Sequence, residues 1–177
     1  MAALDGLASS LEGIFVKSAP KLPEGGKKVL VEWLPWINLV AGVLTLWSVY
    51  ALWNWAHVAN NLINNLNALG QAYGVDIPSV DRLNATVWIG LIVLAIEGVI
   101  FLLAFPATRA RSKRGWDLMF YALLINLVYG IVVIFSDYGG VGNFIGYLIG
   151  SVIGLWLLFQ IRSKYLGKGS APTAPSA

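Results

Sequence analysis

The sequence predicts an all-α integral membrane four-helix bundle, with both termini on the cytoplasmic side (N-in/C-in) and short interfacial amphipathic helices. Three observations predict it: an apolar composition, four long apolar stretches and an uneven distribution of basic residues. Of the 177 residues, 58% are hydrophobic and 12% are charged, against about 45–50% and about 25% in typical soluble domains. One small soluble core could not bury so much apolar surface, so lipid is the expected solvent.

Four apolar stretches have the length that a transmembrane helix needs, which is about 20 residues for a hydrocarbon core of about 30 Å. They are residues 34–55, 86–106, 116–136 and 143–161. In lipid each must be a helix, because its backbone has to satisfy its own hydrogen bonds, and none alternates like a barrel strand. Trp36 and Trp53 lie near the two ends of the first stretch, about 26 Å apart along a helix, as expected of interfacial aromatic belts.

The orientation follows from the basic residues. Eleven of the twelve Lys and Arg side chains lie before the first stretch, between the second and third stretches, or after the fourth. These three segments share one side of the membrane in any four-span topology, and the other side holds only Arg82. The positive-inside rule predicts that the basic side, with both termini, is cytoplasmic.

Three further segments flank the spans. Residues 1–28 are predicted to be a cytoplasmic amphipathic segment with a linker, residues 29–166 the membrane domain, and residues 167–177 a disordered tail rich in Gly, Ser, Ala and Pro. The apolar stripe of the first segment suits either a surface anchor or a partner-docking helix. After the first span, an apolar stripe beside an Asn-rich face predicts an outer interfacial helix at residues 57–73, continuing from or kinked against that span.

Glu97 is the main candidate for function, because it lies near the middle of the second predicted span. A carboxylate at this depth is costly unless it is paired, neutral or hydrated, and such residues are functional candidates by default. Each span has a polar residue near its midpoint, so antiparallel packing would place them at one depth with Asn126 donating to Glu97. The layer could be a hydrogen-bonded clasp that fixes helix register, or a site that binds protons or cations. Its predicted members are Thr45, Glu97, Asn126, Tyr129 and Ser151.

A glycine repeat marks the fourth span. Gly142, Gly146, Gly150 and Gly154 recur every four residues, a pattern that lets helices approach closely. The repeat predicts a helix-packing seam. It could pack inside the bundle or form a homo-oligomer interface, because the same pattern serves both.

Other features limit the partners and the chemistry. Arg109, Arg111, Lys113 and Arg114 lie beside the predicted membrane and favour anionic lipids, whereas no basic face suited to nucleic acid is seen. The chain has no Cys and a single His, which argues against iron–sulfur clusters, Cys-ligated metals and multi-histidine sites. Since no nucleotide-binding or hydrolase motif is present either, we expect neither a cofactor nor an enzyme.

Three stretches resemble uncharacterised small four-span proteins of bacterial genomes: residues 33–40 (WLPWINLV), 115–121 (GWDLMFY) and 158–163 (LFQIRS). The resemblance implies a bacterial inner membrane and supplies no activity. Small multidrug resistance transporters are also short four-span proteins with a membrane glutamate, but theirs lies in the first span and Glu97 in the second. Two functions are therefore expected: a structural, accessory or scaffolding membrane protein, or a small proton- or cation-coupled transporter or channel using Glu97. A lipid-binding protein is a weaker third.

Overall fold

The computed structural model describes residues 2–74, 85–134 and 141–167. All elements in these ranges are helices and no strand occurs among them, which confirms the prediction of an all-α protein. The connection after the third predicted span and the tail from residue 168 lie outside the described residues. The helices are α1 (Ala2–Glu12), a π-helical turn (Gly13–Ser18), α2 (Glu24–Tyr73), α3 (Ala85–Arg109), α4 (Lys113–Ile134), α5 (Val141–Gln160) and the short α6 (Arg162–Tyr165).

The longest helix, α2, joins segments that the sequence analysis separated. It begins at Glu24, inside the predicted linker, and continues through residues 57–73, so the first span and the outer helix are one element. Glu24 in the first turn complements the helix dipole there. The helix ends at Gly74, whose φ of 64° is left-handed and favours glycine. At about 75 Å, α2 is more than twice as long as a hydrocarbon core is thick, so part of it must lie beyond the membrane.

Consecutive helices pack antiparallel, α2 on α3, α3 on α4 and α4 on α5. Between α2 and α3, Trp53 meets Trp88 edge-on with ring centroids 5.4 Å apart. At the other end of the same pair, the Nδ2 group of Asn38 donates to Thr108 Oγ1 at 3.4 Å. Both polar side chains are buried, so this bond holds α2 to α3 away from solvent.

Three of these helices are long and apolar enough to cross a membrane: α2, α3 over Val87–Arg109, and α4. The fourth predicted span appears as a shorter apolar helix, Phe144–Gln160. Only 22–28% of each long apolar window is buried within the chain, and exposed Val, Leu, Ile and Trp side chains cover the outside. A water-soluble monomer rarely exposes such continuous apolar surface, so the helices suit a lipid environment.

The best-packed core lies at one end of the helices, which we call the charged end: the start of α2, the α3–α4 connection and the end of α5. Trp116 stacks on Phe120 at 5.2 Å, and its indole N–H donates to the Leu158 carbonyl at 3.0 Å. The Arg162 guanidinium lies 5.0 Å above the Trp116 ring. Aromatic and cation–π contacts thus join α4, α5 and α6 at this end.

The N-terminal segment packs on the charged end of α5. Phe15 stacks on Phe159, with ring centroids 5.7 Å apart. The Gln160 side chain donates to the Phe15 carbonyl at 2.9 Å and accepts from the Leu22 amide at 3.2 Å, and Arg162 pairs with Glu12. Part of the apolar stripe predicted for this segment therefore packs against α5 within the chain. This is a role that neither of the two predicted ones, membrane anchoring and partner docking, included.

Gly115 offers a test of the tight turn between α3 and α4. A Cβ added there would meet the Ala107 carbonyl carbon and the Thr108 nitrogen, both at 2.6 Å, and backbone cannot give way cheaply. We expect Gly115→Ala to lower the free energy of unfolding in detergent by about 1–3 kcal/mol, the usual cost of overpacking. The control is Gly6→Ala in α1, where a Cβ meets nothing within 4 Å. Equal melting temperatures for the two variants would contradict the close approach.

Candidate functional site

Glu97 is buried at 7% exposure in the middle of α3, although it is an acidic residue in an apolar helix. Asn126 of α4 lies within hydrogen-bonding reach of its carboxyl group through the side-chain amide. The Glu97 Oε1 atom is buried and has no hydrogen-bond partner among the described residues. A buried polar atom of this kind calls for an explanation, such as a bound proton, ion or water.

A cavity of about 300 Å³ reaches Glu97 and supplies that explanation. Four helices line it, and it is partly open to the outside of the helix array. Its side-chain wall is apolar apart from one carboxyl, one amide, two phenol groups and the indole N–H of Trp55. The lining residues are Leu52 and Trp55 of α2, Val87, Gly90, Leu91, Val93, Leu94 and Glu97 of α3, Asn126 and Tyr129 of α4, and Tyr147 of α5.

Two glycines create the room for the tyrosines. Gly90 lies two helical turns before Glu97 on the same face of α3, and the Tyr129 hydroxyl occupies the space that a Cβ at Gly90 would need. Gly130 admits Tyr147 in the same way, since an added Cβ would lie 2.8 Å from the Tyr147 Cβ. The two tyrosine rings meet at 89° with centroids 6.1 Å apart, the preferred edge-to-face geometry. Both tyrosines thereby line the same cavity as Glu97.

The structure places three members of the predicted polar layer around this cavity: Glu97, Asn126 and Tyr129. Thr45 does not line it. Its methyl group packs 3.3 Å from the position of a Cβ at Gly98, so this side chain fills the α2–α3 interface beside Glu97.

Ser151 lies at the same level but also outside the cavity. On α5 it falls between Tyr147 and Gly154, which contact Gly130 and Leu123 of α4. Asn126 falls between those two α4 positions, so Ser151 and Asn126 are level. Ser151 is 2% exposed, and its Oγ has no hydrogen-bond partner among the described residues.

Among the described residues, Gly154 is the one member of the glycine seam that packs closely against another helix. A Cβ at Gly154 would lie 2.7 Å from Leu123, whereas at Gly142, Gly146 and Gly150 it would meet nothing within 4 Å. Within the described residues those three glycines pack against no neighbouring helix, and the helix-packing seam stays a prediction. Among the described residues, α5 packs on α4 through the face that carries Tyr147, Ser151 and Gly154, whereas Gly142, Gly146 and Gly150 are exposed. The homo-oligomer alternative stays a prediction.

Sequence reasoning missed several residues of the site. Gly90 could have been found from its seven-residue spacing before Glu97, which places both on one helix face. Tyr147 and Trp55 carried no such signal, because aromatics near span ends are expected as lipid anchors. Their place in the wall depends on how neighbouring helices rotate, which single-helix patterns do not determine.

Comparisons with known protein families, with curated proteins and with solved structures found no match to this chain. The resemblance to small four-span bacterial proteins therefore stays an expectation.

The arrangement can hold a proton or a small cation. The carboxyl group accepts either, while the amide of Asn126 and the phenols of Tyr129 and Tyr147 can donate to or accept from a bound water. The described residues contain no group of three or more His, Cys, Asp and Glu side chains able to hold a metal ion. A single carboxylate with neutral oxygens suits a proton or a monovalent cation better than a tightly bound divalent metal.

Access to Glu97 can be tested by chemical modification. We expect dicyclohexylcarbodiimide, an apolar reagent for buried carboxyl groups, to label wild type at Glu97, as mapped by peptide mass spectrometry. Gly90→Leu, which adds a side chain to the cavity wall, should slow labelling at least fivefold. Gly150→Leu, at a position where an added Cβ meets no atom, should leave it unchanged. Unchanged labelling in Gly90→Leu would contradict the cavity as the route.

Proposed function

We propose that the protein is a small proton- or cation-coupled transporter or channel of a cell inner membrane, with Glu97 as the group that takes up the ion. It is not an enzyme in this proposal. The observation that carries it is the cavity of about 300 Å³ that reaches a buried carboxyl oxygen without a hydrogen-bond partner among the described residues. A carboxylate that served only to fix helix register would need no such space beside it.

The proposed topology has four spans with both termini cytoplasmic. Phe144–Gln160, the shorter apolar helix, would cover about 25 Å at 1.5 Å per residue, and the rest of α5 would complete the crossing. Support for placing the basic segments on one side comes from the charged end, where Lys27, Lys28, Arg111 and Lys164 line one cleft. These residues come from all three basic segments, as the positive-inside rule requires.

A structural or accessory role is the second candidate. The observation that favours it is the reach of Asn126 to Glu97, which links α3 to α4 inside the helix array. Polar contacts of this kind contribute about 0.6–2 kcal/mol in membranes. The two functions differ in one property, because only the first requires that Glu97 exchange its ion with solvent.

Ion flux decides between them. Full-length protein in liposomes should carry protons, sodium or potassium down an imposed gradient, measured with a pH-sensitive dye or ion electrodes. We expect Glu97→Gln to lower the flux at least tenfold, because the amide is nearly isosteric but cannot take up the ion.

Glu32→Gln is the matched control, since Glu32 is an exposed carboxylate of α2 that does not line the cavity. It should keep the wild-type flux. Full flux in a folded Glu97→Gln protein would exclude the transport proposal. No flux from wild type in any of the three gradients would leave the accessory role as the better account.

A further inference from the structure

A second cavity, of about 510 Å³, lies at the charged end and is separate from the Glu97 cavity. We call it the basic cleft. Its wall combines the first turns of α2, the α3–α4 connection and α6. The lining residues are Glu24, Gly25, Lys27, Lys28, Val31, Glu32, Arg111 and Lys164.

The charges of the cleft are only partly paired. Glu24 accepts from Lys27 Nζ at 2.8 Å and from Lys164 Nζ at 3.2 Å, so one carboxylate holds two ammonium groups. Lys28 and Arg111 have no carboxylate partner among the described residues. Four cations against two carboxylates leave the cleft with a net positive charge, which an anion would offset.

Arg111 is held in place by its backbone. Its φ of 49° makes it the one non-glycine residue with positive φ in the described part of the chain. Its amide donates to the Thr108 carbonyl at 3.0 Å, and the Ser112 amide donates to the Ala107 carbonyl at 3.1 Å. These two bonds are the usual C-terminal cap of a helix, and they fix the backbone of Arg111 at the end of α3.

The neighbouring Tyr165 does not reduce the positive charge of the cleft. Its hydroxyl is buried without a hydrogen-bond partner among the described residues and interacts electrostatically with Arg111. Burial raises the pKa of Tyr165 to about 12, although Arg111 acts in the opposite direction. The phenol is therefore neutral at physiological pH and does not cancel the positive charge of its neighbour.

We propose that the basic cleft binds a phosphate-bearing anion, with Arg111 and Lys28 as its main ligands. The guanidinium can bind two phosphate oxygens at once and the ammonium adds a point charge, the usual pairing for phosphate. Lys27 and Lys164, oriented by Glu24, complete the wall. The phosphate can belong to the headgroup of an acidic phospholipid or to a soluble phosphate ester.

The position of the cleft favours the lipid source. Val31 lies in its wall, and the exposed side chains of Val29 and Trp33 begin the apolar surface of α2 beside it. A headgroup in the cleft would leave its acyl chains against that surface. Anionic lipids are predicted from the sequence near Arg109, Arg111, Lys113 and Arg114. Of these four residues, only Arg111 lines the cleft. The Arg109 guanidinium lies 5.8 Å from the centroid of the Trp36 ring instead.

Native mass spectrometry of the full-length protein in detergent tests the proposal. The probes are phosphatidylglycerol, phosphatidylcholine of the same acyl chains, and glycerol phosphate. We expect one tightly bound phosphatidylglycerol per chain, preferred over phosphatidylcholine. Lys28→Gln and Arg111→Gln should each weaken it about fivefold, and the double variant about 25-fold.

Arg114→Gln is the matched control, because it removes an exposed charge from the first turn of α4, three residues after Arg111 and outside the cleft. It should change the affinity less than twofold, and Lys28→Arg should keep wild-type binding. Circular dichroism and melting temperature confirm that each variant is folded. Two results would overturn the proposal. One is equal weakening by Arg114→Gln. The other is wild-type protein that prefers neither phosphatidylglycerol nor glycerol phosphate to phosphatidylcholine. Displacement of the lipid by millimolar glycerol phosphate would support a soluble ester as the ligand.

Discussion

The structure depends on the cost of leaving a polar group unpaired in apolar surroundings. In a chain whose long helices face outward with apolar side chains, that cost forces the backbone into helices and polar side chains into pairs. Asn38 bonds to Thr108, and Gln160 bonds to the backbone of the N-terminal segment. Several buried polar atoms remain without a protein partner among the described residues, and Glu97 Oε1 is the one that belongs to a carboxyl group. Of the residues with such an atom, Glu97 is the one that lines the cavity, which is why we assign the function there.

The two ends of the helix array are built differently. At the charged end, Trp116 and Phe159 form a dense aromatic core, and Arg162 joins it from α6. Towards the other end, α2, α3, α4 and α5 together line the Glu97 cavity. Ion uptake needs space for exchange with solvent, and a fixed basic cleft needs rigid supports. Each proposed site therefore lies in packing of the kind that its function requires.

Much of the helix content and part of the site could be predicted from sequence, because both depend on local patterns. Apolar runs of sufficient length predicted the helices, and a charge in such a run identified Glu97 with Asn126 as its neighbour. Helix rotation could not be predicted, since it depends on how side chains of different helices fit together. This is why Tyr147 was missed and why the face of α5 that carries Gly146 could not be placed. The prediction also divided α2 near Ala56, where composition changes but the helix continues.

In this account, water reaches Glu97 through the cavity between the helices, although the outer face of α3 is in contact with lipid. Because the chain has no Cys, single cysteines can be introduced without background. Leu94→Cys lies in the cavity wall, whereas Ile92→Cys lies on the outer face of the same helix, where Ile92 is 61% exposed. With the protein in liposomes, a water-soluble maleimide should label Leu94→Cys and spare Ile92→Cys, although both react after denaturation. Labelling of both would contradict the lipid-facing surface, and labelling of neither would contradict the hydrated cavity.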